Sequence, residues 1–289
     1  MKAAKLQLIS SMVIFGTIGL FVRYIPLPSS VIAFARGLIG MIFLLIVLAV
    51  QRKKPNLSAV GKRWPLLLLS GAALGANWIL LFEAYRYTTV AISTLCYYLA
   101  PMFIILVSPL VLREKLTARK LICVLVSLAG MVCVSGVLTG SMPTVDELTG
   151  ILLGVTAAAL YAAIVLLNKT LTGIPGNDRT VVQLGISAVV VLPYILLTEQ
   201  VSTFQPDAKG IILLLVVSIV HTGIAYALYF NSMERLEAHT LAIFSYIDPI
   251  AAVLLSALLL KEPLGWTGIV GAVLILGSAV VSELPEKRH

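Results

Sequence analysis

The sequence predicts an all-α membrane protein: ten transmembrane helices arranged as two inverted five-helix repeats around a central cavity. Three observations predict it. Of the 289 residues, 60% are hydrophobic and 12% are charged, with a mean hydropathy of +1.04, whereas a soluble domain carries about 25% charged residues. Apolar runs of spanning length recur along the whole chain. The chain also matches itself at one fixed offset.

A bilayer core of about 30 Å takes about 20 apolar residues of helix. Ten segments qualify, at roughly 6–24, 29–50, 65–85, 90–111, 119–138, 148–168, 180–198, 210–230, 239–260 and 266–283. The breaks carry Pro26 and Pro28, the run Arg52-Lys53-Lys54-Pro55, Arg113-Glu114-Lys115, Pro143 with Asp146-Glu147, Gly173-Ile174-Pro175-Gly176, and Pro206-Asp207. None of them is long enough to hold a soluble domain. Lys2 and Lys5 precede an apolar stretch with no small-x-small cleavage site before Pro26. That stretch is therefore expected to be a permanent helix and not a signal peptide.

The formal charge of +8 could suggest a nucleic-acid partner. The basic residues gather in short loops instead of forming one stripe, so a lipid bilayer is the expected partner. With the N-terminus inside, sixteen Lys and Arg fall on the cytoplasmic side. Four, Arg23, Arg86, Lys209 and Lys261, fall outside, and Arg36 lies within the second helix. The bias predicts a multi-pass cell-membrane protein with both termini cytoplasmic. Asn56 and Asn168 begin glycosylation sequons, but both fall on the cytoplasmic side and are read as coincidental. Cys96, Cys123 and Cys133 lie in apolar runs and imply neither a disulfide framework nor a metal site.

Sliding the chain by 148 residues places Tyr98 on Tyr246, Pro101 on Pro249, Ser70 on Ser218, Gly75 on Gly223, Phe82 on Phe230, Glu114 on Glu262 and Leu116 on Leu264. Matches of Leu or Val mean little between apolar chains, but Pro, Glu, Tyr and Gly at one offset are informative. The repeats are predicted at 1–140 and 141–289. Five helices per half is an odd number, so the second half enters the membrane from the opposite side.

The paired signatures are Pro101…Arg113-Glu114-Lys115-Leu116-Thr117 and Pro249…Lys261-Glu262-Pro263-Leu264-Gly265. Each leads into a Gly-bearing helix, with Gly130 in one and Gly268, Gly271 and Gly277 in the other. With these features the sequence resembles the drug/metabolite transporter superfamily, and within it the ten-helix EamA-type exporters. Arg36 resembles an Arg often seen in that family's second helix. The resemblance covers essentially the whole chain. It implies a basket of helices around a cavity that opens alternately to each side and moves amino acids, related metabolites or drugs, usually outward.

Polar groups inside a bilayer are costly, so each intramembrane one is a candidate. Asp248 falls near the centre of its predicted helix, the depth of transporter binding sites. It is expected to take up a proton or to pair with a cationic substrate group, the alternative being a hydrogen-bonded strut between helices. Pro249 displaces the carbonyl of Ser245, and Ser245, Asp248 and Ala252 share a face. His221 suits proton coupling by its titration range, although a lone membrane histidine is often structural. Ser218, Ala225 and Tyr229 lie on its face, and Ser70, Ala73 and Asn77 on the matching face of the third helix. Ser93, Tyr97 and Ala100 occupy the positions equivalent to Leu241, Ser245 and Asp248.

Tyr97, Trp78, Tyr226 and Tyr229 could stack on an aromatic or quaternary ammonium substrate, or serve only as packing. Pro101 and Pro249 are candidate flex points for alternating access, with static kinks the alternative. The predicted substrate contacts are therefore Asn77, Trp78, Tyr97, Tyr226, Tyr229, Ser245 and Asp248, with Asp248 and His221 as coupling candidates. Arg36 is expected to snorkel or to pair with Glu83. Glu114 and Glu262 are expected to favour the N-termini of the helices that follow them. Gly71 and Gly75 form a G-x-x-x-G read as packing inside the bundle, leaving a monomer or weak homodimer.

Transport of a small-molecule solute by a gradient-driven carrier is the leading expectation, since no P-loop, cofactor motif or metal cluster is present. Proton-coupled import of a cation such as choline is the alternative. An intramembrane enzyme would need H-E-x-x-H or G-x-S-x-G, which the chain lacks. A channel would need a pore-lining ring. Arg36 as the only buried positive charge disfavours phosphorylated sugars.

Overall fold

A computed structural model describes residues 2–52, 57–113, 116–135, 137–139, 143–200, 204, 207–233, 235–236, 238–262 and 264–284. Glu114, Lys115, Pro263, Lys53, Lys54, Pro55, Asn56 and Pro206, named above, lie outside the described residues.

The chain is helical throughout the described residues. Its helices are α1 Lys2–Val22, α2 Ser29–Val50, α3 Leu57–Lys62, α4 Trp64–Tyr87, α5 Val90–Tyr97, α6 Ala100–Val111, α7 Ala118–Val134, α8 Val145–Thr170, α9 Gly176–Thr198, α10 Ala208–Ser218, α11 Ala225–Met233, α12 Ala238–Ser245, α13 Ile247–Leu259 and α14 Trp266–Glu283. Eight apolar stretches among the described residues are long enough to cross a membrane, two of them formed by consecutive elements, Val90–Val111 and Ala208–Ser232. Ile247–Leu259 is a shorter apolar helix. This is a multi-pass membrane protein, and the large apolar side chains left exposed on its outer faces, Leu110, Leu197 and Leu258 among them, meet lipid.

Local chemistry sets the helix ends. Pro28, extended at ψ 147°, leads into α2. Thr144 and Glu147 form a reciprocal capping box that starts α8. Asp207 opens α10 by accepting from the Gly210 N–H at 2.7 Å, and Thr89 opens α5 by accepting from Ile92 at 3.1 Å.

Two spans expected to be continuous are broken. The segment over 90–111 stops at Tyr97 and restarts at Ala100, and the one over 239–260 stops at Ser245 and restarts at Ile247. Proline explains both. Pro101 has no N–H to offer the Tyr97 carbonyl and its ring crowds that oxygen, and Pro249 does the same to Ser245. Each proline then sits in the first turn of the new helix, where a missing N–H costs nothing. The span over 210–230 is helical but changes pitch, because Ile219–Ile224 is a π-helical turn between α10 and α11. The Thr222 hydroxyl follows the wider pitch and donates to the carbonyl of Val217 at 3.3 Å, five residues back.

The two sequence halves interleave. α8 packs on α4, α5 and α6, while α1 packs on α11, α12 and α13. α2 lies against α9, and α7 against α14. At the α1–α13 crossing a Cβ on Gly16 would fall 2.5 Å from the Asp248 carbonyl oxygen and 2.7 Å from the Ala251 Cβ. Only glycine lets α1 approach α13 at the level of Asp248. The main buried cluster joins Ile32 of α2, Trp78 and Phe82 of α4, Leu184 of α9 and Val217 of α10.

Candidate functional site

The broken helices converge on a cavity of about 530 Å³ between the halves. Its wall takes Phe15 and Gly16 from α1, Arg36 from α2, Trp78, Phe82 and Tyr85 from α4, and Tyr97, Tyr98 and Pro101 around the first break. Tyr161 of α8, Tyr226 and Tyr229 of α11, and Ser245, Tyr246 and Asp248 around the second break also line it. The volume falls within the range of small-molecule pockets, roughly 300–1,000 Å³.

Asp248 stands in the first turn of α13. Its Oδ2 accepts a hydrogen bond from the Tyr98 hydroxyl at 2.6 Å. The pair links the two breaks, so the polar centre of the wall is built from both halves. The aromatic lining is continuous around it. Tyr97 packs edge-on to Tyr98 with ring centroids 6.2 Å apart and lies 5.3 Å from Tyr161, and Tyr226 stacks on Phe230 at 5.9 Å.

Arg36 is not where the sequence placed it. The expected partner, Glu83, instead accepts from the Ser29 hydroxyl at 2.6 Å and pairs with Arg86 at 3.8 Å. Arg36 turns inward and is only 4% exposed. Its Nε donates to the Thr222 hydroxyl at 2.9 Å, and its guanidinium carbon lies 4.0 Å from the Trp78 ring centroid and 5.2 Å from that of Phe82. The helical period carries Arg36 to the face that meets the π-turn, away from the lipid surface that snorkelling needs.

Of the sequence-predicted contacts, Trp78, Tyr97, Tyr226, Tyr229, Ser245 and Asp248 all line the cavity, as does Pro101. Asn77 is fully buried behind the wall, its Nδ2 donating to the Ala157 carbonyl at 2.6 Å and its Oδ1 facing the Tyr97 hydroxyl at 3.4 Å. It ties α4 to α8. Pro249 is buried in α13 behind Asp248. His221 is 1% exposed and sits between helices, its Nε2 2.8 Å from the Thr17 hydroxyl and its ring edge-on to Phe21.

Tyr98, Tyr161, Tyr85 and Thr222 escaped the sequence reading as site residues. Tyr98 could have been found, since it is the repeat mate of Tyr246. An unbroken helix, however, puts Tyr97 on the Asp248-facing side and turns Tyr98 away.

A polar knot lies next to cavity-lining Tyr85. The Glu262 carboxylate accepts from the Val90 N–H at 3.0 Å and from the Ser256 hydroxyl at 2.8 Å, and pairs with Arg23 at 3.2 Å. Arg23 also donates to the carbonyls of Tyr85 and Thr88. The carboxylate thus serves the N-terminus of α5 and not that of α14, the helix it precedes. The lining reaches in the opposite direction to exposed Glu283, the last residue of α14, about 26 Å along the helix axis from Trp266 at 1.5 Å per residue.

The EamA-like transporter family matches this chain twice, at residues 3–136 and 148–283. The chain belongs to that family. It is 31% identical over 258 residues to "Uncharacterized transporter YxxF" of Bacillus subtilis (strain 168), covering 88% of this chain and 81% of the relative. It is 26% identical to "Uncharacterized transporter YetK" of the same organism, covering 99% of this chain and 86% of the relative. "Protein PecM" of Dickeya dadantii (strain 3937) is 25% identical over 79% of this chain and 76% of its own length. A solved crystal structure superposes with a TM-score of 0.69 at 19% identity, covering 97% of this chain and 96% of the other. That likeness concerns the fold.

Proposed function

We propose that this membrane transporter carries a small organic solute, an amino acid or a related compound, by alternating access, with the Tyr98–Asp248 cavity as the carrier site. The observation that carries this reading is the hydrogen bond joining the two helix breaks at 2.6 Å. It sets a carboxylate from one half against a tyrosine from the other inside a solute-sized cavity. Rocking one half against the other changes this contact first.

The arrangement behind the reading is ten membrane crossings in two inverted five-helix halves, 1–140 and 141–289. Several local features recur at the 148-residue offset and support it. The helix breaks fall at Tyr98 and Tyr246. The left-handed residues Arg113 and Lys261, at φ 56° and 55°, end α6 and α13. The packing also survives exchange of the halves: α8 on α4, α5 and α6 mirrors α1 on α11, α12 and α13. An odd number of crossings per half then inverts the second half.

With the termini cytoplasmic, as the positive charges favour, the Glu262 knot is the outer seal and the Glu283 end is the inner mouth. The described arrangement is then inward-facing. Outward movement of the solute is the direction the family resemblance favours. Asp248 is the group through which a proton gradient couples to it.

The test is uptake and efflux in liposomes across amino acids, quaternary amines and purines, with and without a pH gradient, for the wild type and Asp248→Asn. Gradient-driven accumulation that the variant loses while keeping solute exchange is the expected result. A variant that accumulates solute like the wild type removes Asp248 from coupling. No movement of any solute removes the carrier reading.

A further inference from the structure

Arg36 is a buried cation with no ion-pair partner among the described residues. Among the described residues no carboxylate lies within ion-pair distance of it, because Glu83 is held by Ser29 and Arg86, and Asp248 by Tyr98. A guanidinium held away from water is costly unless its charge and its donors are satisfied. The protein supplies part of this: the Thr222 hydroxyl takes Nε at 2.9 Å and the Trp78 face covers the guanidinium at 4.0 Å. Together the two contacts fix the plane and direction of the fork. Arg36 itself is part of the wall.

The fixing is expensive in local structure. Thr222 reaches Arg36 from within the π-turn Ile219–Ile224, which gives up regular α pitch, and such turns gather at functional sites. A guanidinium needed only as an interhelical strut would be served as well by a facing carboxylate. What this arrangement leaves instead is an oriented pair of N–H donors on a wall rich in tyrosines, with the Asp248 carboxylate on the same cavity.

We infer that Arg36, clamped by Thr222 and Trp78, is the anion anchor of the carrier site, and that the transported solute is a small organic carboxylate, free or zwitterionic. The inference rests on the carrier reading and gives that cavity its ligand chemistry. The planar fork matches a carboxylate in a two-bond geometry. In the zwitterionic case the ammonium lies toward Asp248 and the solute body among Tyr97, Tyr161 and Tyr226. A simple cation such as choline gains from the tyrosines but meets Arg36 as a like charge.

Matched trios of probes test this in carboxylate-free buffer: 3-phenylpropionate, phenylalanine and phenethylamine, then butyrate, 4-aminobutyrate and butylamine. Ligand-induced shifts in melting temperature are read on purified wild type, Arg36→Gln and Arg36→Lys. Carboxylate-bearing members are expected to stabilise the wild type, and the amines are not. Arg36→Gln is expected to weaken the carboxylate response roughly tenfold or more, and Arg36→Lys, which keeps a point charge but not the fork, less. If Arg36→Gln does not fold, competition on the wild type between each carboxylate and its primary amide gives the same discrimination.

The inference is overturned if no carboxylate stabilises the protein, if amines or amides match the carboxylates, or if Arg36→Gln keeps the full response. Its failure separates from that of the carrier reading in liposomes. A carboxylate that stabilises the protein but never crosses defeats transport and leaves the anchor standing. A cation carried independently of Arg36 does the reverse.

Discussion

Glu262 caps a helix that is remote from it in sequence: its carboxylate accepts the N–H of Val90, 172 residues away, at 3.0 Å. The first N–H groups of α5 have no partner within the helix, and a carboxylate at that end also meets the positive pole of the helix dipole. Through Arg23 the same carboxylate reaches the carbonyls that close α4. Glu262 therefore joins α1, α4, α5 and α13.

Replacing Glu262 by Gln keeps a hydrogen-bond acceptor for Val90 but removes the charge that holds Arg23. Ala removes both. The expected order of melting temperature in detergent is wild type, Gln, then Ala, with loss of the cap worth about 1 kcal/mol. Hydrogen exchange should rise at Val90–Ser93 in the Ala variant and stay unchanged in α9. Equal protection of α5 in all three proteins would show that the knot contributes nothing.

Tyr98→Phe tests the contact between the breaks. The ring and its packing on Tyr97 remain, while the Asp248 carboxylate loses its donor at 2.6 Å. Under the carrier reading, gradient-driven accumulation falls about tenfold, the weight of one hydrogen bond to a charged group at the lower end of its range. Solute exchange without a gradient changes less. A variant that loses both equally points to a damaged cavity and not to coupling.

What the sequence disclosed and what it withheld follow from range. Of the ten expected spans, eight appear among the described residues as apolar stretches of crossing length, legible because burial in lipid imposes a run of apolar residues on every crossing. Asp248 was legible because a charge in such a run stands out. The two helix breaks were signalled by Pro101 and Pro249, but a proline announces a disturbance without saying whether the helix bends or stops. Tyr98 and Arg36 were misjudged for the same reason: assigning a face to a residue assumes an unbroken helix and known neighbours. The π-turn that brings Thr222 to Arg36 has no sequence signature of its own. Glu262 was read as architectural and given the wrong helix, since pairing across 172 residues is invisible to a local dipole argument.

Gly16→Leu inserts a side chain where a Cβ alone already meets the Asp248 backbone and Ala251. The two helices must separate, and because α1 lines the cavity, the cavity opens with them. Stability in detergent should fall by about 1–3 kcal/mol, the usual cost of overpacking, and transport should be lost even in protein that still folds. Gly16→Ala should show the same changes in smaller measure. A fully active Leu variant would mean that α1 moves freely over α13.

His221→Gln separates two roles for the buried histidine near the site. The ring lies against Thr17 and Phe21 and does not reach the cavity wall. Glutamine keeps a hydrogen-bonding group for Thr17 but cannot titrate. If the histidine is a strut, the variant keeps gradient-driven accumulation within about twofold and loses melting temperature by the weight of one hydrogen bond, about 1 kcal/mol. If accumulation collapses while exchange persists, His221 shares the coupling with Asp248.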